Sequence, residues 1–191
     1  MKKINKTKYA ILGMLFEKPR SGYEIKRFML ESTNHFWQES DASIYPMLKT
    51  LQAQGLVTSR SEFVGKRERQ IFEITPTGKK EFSAWLALPA AGETHRSELL
   101  LKLFFGANAT KKDTLNQLLL HQKKVKALQE QFKNIEENVL PQIPDSYPHK
   151  IYWEMALENG ILTIDAELKW IKKCIQKLEI KELEIKNPET K

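Results

Sequence analysis

Apolar residues return every three or four positions through long parts of this chain, the spacing of helices with one buried face. The clearest case is residues 41–56, where Ile44, Met47, Leu48 and Leu51 fall on one side. The opposite side carries Ser43, Tyr45, Lys49 and Gln52, which offer hydrogen bonds and cationic charge but no acid. Gly55 is placed to stop this helix in a left-handed cap. Residues 56–62 and 69–75 then read as strands, joined by the cationic turn Val64-Gly65-Lys66-Arg67-Glu68.

Upstream, Lys2, Lys3, Lys6 and Lys8 lead into a first helix capped at Thr7, with Tyr9, Ile11, Leu12, Leu15 and Phe16 apolar, ending near Pro19. Ser21, followed three residues later by Glu24, predicts a capping box for a second helix. Its buried face would hold Tyr23, Ile25, Phe28 and Met29, and Phe36 and Trp37 would plug the core from the following loop. Asp41 or Ser43 starts the third helix, with Pro46 in its first turn. Three helices and a hairpin in this order describe a winged helix-turn-helix.

The rest is helical. Residues 77–88 form a fourth helix, 89–92 a hinge, and 97–105 a buried apolar segment. A long helix runs from Thr110 to about residue 138, with Leu118, Val125, Leu128, Phe132, Ile135 and Val139 on a seven-residue pattern interrupted at His121 and Gln122. After three prolines, residues 150–183 make a last helix about 50 Å long at 1.5 Å per residue. Its seam is Ile161, Ile164, Leu168, Ile171, Ile175 and Leu178. A small domain cannot cover such a stripe; antiparallel packing within the chain, then a second subunit, would. The fold class expected is mainly α with a small β-hairpin wing: a winged helix-turn-helix domain at 1–88 and a long-helix antiparallel dimerisation domain at 89–191.

Charge sharpens this picture. Of the net +7 over 191 residues, +6 lies in residues 1–88, which hold 15 basic and 9 acidic side chains. A surplus concentrated beside the basic hairpin is the footprint of a polyanion partner. No apolar run approaches the roughly 20 residues a bilayer needs, and the apolar patch after the basic start is too short for a leader, so no membrane partner and a cytoplasmic location are expected. A single cysteine, Cys174, excludes an internal disulfide and reads as a packing residue rather than a redox switch. His95, His121 and His149 lack metal-ligand spacing, so neither metal nor cofactor is expected. Nor does the chain hold a nucleophile–base set or a glycine-rich phosphate loop, so an enzyme is not expected.

Several motifs together carry a family resemblance: Ile11-Leu12-Gly13-Met14-Leu15, Pro19-Arg20-Ser21-Gly22-Tyr23-Glu24-Ile25, Ser43-Ile44-Tyr45-Pro46-Met47-Leu48, the stretch 51–57, the wing at 65–72, and Ile74-Thr75-Pro76-Thr77-Gly78. In this order over residues 8–88 they resemble the PadR family of bacterial transcriptional regulators. The resemblance implies a dimeric, repressor-like protein on palindromic operator DNA, controlling stress, detoxification or efflux genes and in some relatives sensing small aromatic compounds. By position, Ser43, Tyr45 and Lys49 would lie on the recognition helix, Lys66 and Arg67 on the wing, and Tyr23 near the DNA backbone.

The residue chemistry is compatible. Tyr45 suits a phosphate or a thymine methyl, Ser43 a phosphate at a helix start, and Lys49 a phosphate or a guanine edge. Lys66 and Arg67 suit phosphate or the minor groove. The alternative for each is a solvated polar side chain, and for the whole domain a winged-helix protein-interaction module without DNA binding. Trp85, Phe104, Phe105, Tyr152, Trp153 and Met155 are candidates for an effector pocket, with ordinary packing as the alternative.

Overall fold

A computed structural model describes residues 5–65, 67–92 and 96–186, with the backbone alone at 64, 67 and 181–186. The chain divides into two compact units, Met1–Glu93 and Thr94–Lys191.

In the first unit, α1 (Lys6–Met14) is capped by Asn5, two residues earlier than the Thr7 expected. The short strand β1 (Arg20–Ser21), which no hydrophobic pattern announces, leads into α2 (Gly22–Ser32). Here the expected capping box is present: the Ser21 amide donates to Glu24 Oε2 at 2.7 Å, and the Glu24 amide donates to Ser21 Oγ at 3.3 Å. Helix α3 (Asp41–Ala53) follows, then β2 (Val57–Val64) and β3 (Arg67–Ile74), and α4 (Pro76–Leu86) closes the unit. The strands form one antiparallel sheet in the order β1-β3-β2, with Val57 opposite Ile74 and Val64 opposite Arg67. The hairpin is therefore tighter than expected, with pairing out to Val64 and Arg67 and Gly65 at φ +62°.

Ile11, Leu12, Leu15, Ile25, Ile44, Leu48, Leu51 and Val57 form a fully buried core. At about 25 cal/mol per Å² of apolar surface removed from water, such residues dominate the stability of a unit this small. Arg20 is also buried, its guanidinium donating to the Met14 carbonyl and lying 4.4 Å from the Phe28 ring centre. Two expectations fail. Tyr23 is 67% exposed and Phe36 is exposed as well. Ile25 and Met29, with the half-buried Phe28 beside them, make the inner face of α2, and Trp37, whose indole donates to Glu39, is the half-buried aromatic of the loop.

In the second unit, α5 (Glu98–Phe104) precedes α6 (Lys111–Asn134), which is capped by Thr110. A π-helical turn (Ile135–Val139) ends α6, and α7 (Lys150–Lys186) runs back along it. Antiparallel pairing is fixed by His121 Nε2 and Glu167 Oε1 at 2.7 Å and by Gln129 donating to Asp165 at 2.8 Å. Leu118, Val125 and Phe132 meet Ile164 and Ile171, with Ile161, Leu168, Cys174, Ile175 and Leu178 packed beside them. The six residues expected at a subunit seam thus close on α6 of their own chain, Ile171 completely. Helix α5, expected to be buried, has no fully buried residue: Leu103 packs against the α6–α7 core, while Leu100, Leu101 and Phe104 are exposed. Among the described residues no helix is long and apolar enough to cross a membrane.

Candidate nucleic-acid interface

Helix α3 is held from behind. Ile44, Leu48 and Leu51 are completely buried, which fixes its rotation and turns Tyr45, Lys49 and Gln52 outward. Those three are spaced at i, i+4 and i+7, one stripe of a helix. Lys26 on α2 pairs with Asp41 and anchors the start of α3. Pro46 lies in the second turn rather than the first, where its ring removes one backbone donor without ending the helix.

The predicted recognition residues behave differently from one another. Tyr45 is 46% exposed and Lys49 is exposed. The Ser43 hydroxyl is occupied: it accepts from the Ser40 amide at 3.0 Å and donates to the Ser40 carbonyl at 2.9 Å. Ser40, not Asp41 or Ser43, is the cap, and Ser43 serves the helix end before any ligand. Tyr23 stands exposed on α2, and Arg67 opens β3 opposite Val64. The Arg67 side chain and Lys66 lie outside the described residues.

The wing carries more charge chemistry than its turn suggests. Arg69 donates to Glu62 at 3.1 Å and to Glu24 on α2 at 3.3 Å; Arg60 donates to Glu62 at 3.1 Å and to Glu73 at 3.4 Å. This ladder ties the hairpin to the start of α2. Hydrogen bonds from the Ser21 backbone and hydroxyl, with help from Arg69, hold the Glu24 carboxyl below its usual range. Hydrogen bonds from Arg69 and Arg60 do the same for Glu62. The other face of the hairpin is joined to α3, since Gln52 donates to Ser59 Oγ at 3.1 Å. Spacing along the sequence marks neither link, because each depends on which residues the register and helix packing place side by side.

The six candidate effector residues do not gather into one cluster within either unit. Trp85 stacks on Tyr9 with ring centres 4.6 Å apart, inside the first unit. In the second, Phe104 and Phe105 meet edge to face, Trp153 packs among Tyr147 and His149, and Tyr152 and Met155 are exposed. A cleft of about 390 Å³ between α6 and α7 is lined by none of them. Its lining sets four carboxylates, Glu130, Glu136, Glu137 and Asp165, against one cation, Lys133, a net negative charge that disfavours an anionic phenolic acid.

Known proteins resemble both units of the chain. Residues 11–84 match the transcriptional regulator PadR-like family, and residues 95–179 match the virulence activator alpha C-terminal family. The chain is 32% identical over 161 residues to the negative transcriptional regulator PadR of Bacillus subtilis, covering 80% of this chain and 88% of that protein. The crystal structure of B. subtilis PadR in complex with operator DNA superposes with a TM-score of 0.80 at 26% identity, covering 91% of this chain and 99% of that one. The structure of the same regulator in complex with p-coumaric acid gives a TM-score of 0.75 at 24% identity, covering 92% and 99%.

Proposed function

Since this chain belongs to the PadR-like family of DNA-binding transcriptional regulators, we propose that it is a cytoplasmic, homodimeric repressor of a stress, detoxification or efflux gene, released from a palindromic operator by a small aromatic effector. The observation that carries the reading is the outward stripe of Tyr45 and Lys49 on a helix whose rear is fully buried. Such a helix fits a major groove, and the basic surplus of residues 1–88 supplies the salt-sensitive part of the affinity. Residues 1–88 read the DNA and 89–191 join the subunits.

The subunit contact uses what the second unit leaves uncovered. With Ile164 and Ile171 committed to α6, the exposed Leu100, Leu101 and Phe104 of α5, with Ile151, Tyr152 and Met155 of α7, form the apolar surface for a second copy. The aromatic residues of this region are also the effector candidates, a reading encouraged by the p-coumaric acid complex of the B. subtilis regulator.

The test is a gel shift on the DNA upstream of the chain's own gene, titrated with salt and then with phenolic acids. A log-linear loss of affinity with rising salt, and release by a phenolic acid, are expected. Indifference to DNA at low salt would leave the fold as a protein-interaction module; binding indifferent to every aromatic compound would remove the effector.

A further inference from the structure

Phe63 is 72% exposed, an aromatic ring standing in water near the outer end of the hairpin, whose other described apolar side chains are buried. A lone exposed apolar side chain is ordinary on a protein surface. Its position is what distinguishes it. In the β2–β3 register, Val57, Ser59, Ser61 and Phe63 alternate onto one face, opposite Ile74, Phe72, Gln70 and Glu68. Ser59 on that face accepts a hydrogen bond from Gln52, the last member of the outward stripe of α3. The stripe Tyr45, Lys49, Gln52 is therefore joined through Ser59 to the outer part of that wing face, where Ser61 and Phe63 are exposed. The ion-pair ladder of Arg60, Glu62, Arg69 and Glu73 occupies the other face.

From this continuity we infer that Phe63 is a DNA-contacting residue: with α3 in a major groove, its ring enters the adjacent minor groove and packs against sugars and the edge of a base step. The inference rests on the DNA-binding reading above. An apolar ring has no phosphate to neutralise, so it adds affinity without releasing counterions. Rings used in this way act as wedges at easily unstacked pyrimidine–purine steps. The wing then contributes shape and stacking to operator choice, and α3 contributes hydrogen bonds.

The experiment uses the full-length protein and an operator duplex recovered by selection from its own upstream region, carrying 2-aminopurine at successive minor-groove positions beside the site. Phe63→Ala should keep the wild-type circular dichroism and melting temperature, because the ring packs on little in the protein. Its affinity should fall roughly fivefold or more, the lower end for an aromatic ring against a base. The slope of log affinity against log salt should stay at the wild-type value, and the 2-aminopurine signal of the wild-type complex should be lost. Phe63→Trp should retain both affinity and signal. Wild-type affinity in Phe63→Ala would overturn the assignment. So would a changed salt slope, which would mean that the cationic turn had moved instead. A wild-type protein that binds no duplex at all would sink the DNA reading itself, an outcome distinct from either.

Discussion

The Tyr45 ring lies directly over Gly22: a Cβ on that glycine would stand 2.6 Å from Tyr45 Cε1 and 3.0 Å from Cζ. Helix α3 and the first residue of α2 are thus in contact through Tyr45, one of the side chains proposed above to touch DNA. Gly22→Ala should swing the half-exposed ring outward at little cost to folding, since a side-chain end moves and no backbone does. The expected result is a melting temperature near wild type with operator affinity lowered to that of Tyr45→Ala. The double variant should be no weaker than either single one, the non-additivity of residues in contact. Anisotropy titrations of the three variants check it; additive losses would show that the contact positions nothing.

This contact illustrates what a sequence discloses and what it withholds. Ser21-Gly22-Tyr23-Glu24 reads at once as a helix start, because capping is local chemistry. That Gly22 makes room for Tyr45 depends on how α2 packs against α3, which no periodicity reports. Hydrophobicity alone puts Tyr23 and Phe36 inside, yet Ile25, Met29 and the half-buried Phe28 and Trp37 take the inner positions. Strand β1 is invisible for a similar reason, since two residues carry no alternation and are defined only by pairing with Phe72 and Ile71. The seam of α7 was legible as a stripe, but its partner was not: spacing shows that a face must be covered, not by which chain.

Acid should loosen the wing. In the folded protein the carboxyls of Glu24 and Glu62 titrate below their usual 4.5, held down by the hydrogen bonds of Ser21 and of the two arginines respectively. Groups so depressed add stability that is complete above the unfolded value and is lost as pH falls through the lower folded value. The melting temperature of the DNA-binding unit within the whole protein should be flat from neutrality to about pH 5 and fall below it. Glu62→Gln should flatten that fall. A variant that tracks the wild-type curve at every pH would remove Glu62 from the ladder's stability.

Gly78 should prove far less tolerant than Gly22. A Cβ there would lie 2.2 Å from the Leu56 carbonyl oxygen and 2.8 Å from Ile74 Cγ1, so backbone would have to move. That same carbonyl accepts from the Thr75 amide at 3.0 Å, and Thr75 caps α4. Gly78→Ala is expected to cost about 1–3 kcal/mol, the usual range for overpacking. Chemical denaturation reads this directly; unchanged stability would mean that α4 can slide away from the sheet.

Two substitutions separate the intrachain seam from the subunit contact. Ile171 is fully buried between α6 and α7, so Ile171→Ala should cost about 2–5 kcal/mol, as truncations of core isoleucines do, at every protein concentration. A charge there would unfold the helix pair before it parted two subunits. Leu101 and Phe104, three residues apart on α5 and exposed, have no such role inside the chain. Leu101→Glu with Phe104→Glu should leave helicity intact and give a monomer by sedimentation. With two half-sites no longer held one DNA turn apart, about 34–36 Å, operator affinity should drop by the factor that linkage supplies, on the order of a hundredfold or more. Binding to an isolated half-site should be unchanged. A double variant that still sediments as a dimer would place the subunit contact elsewhere on α6 and α7, and one that is monomeric yet binds the full operator tightly would show that one wing and one helix suffice.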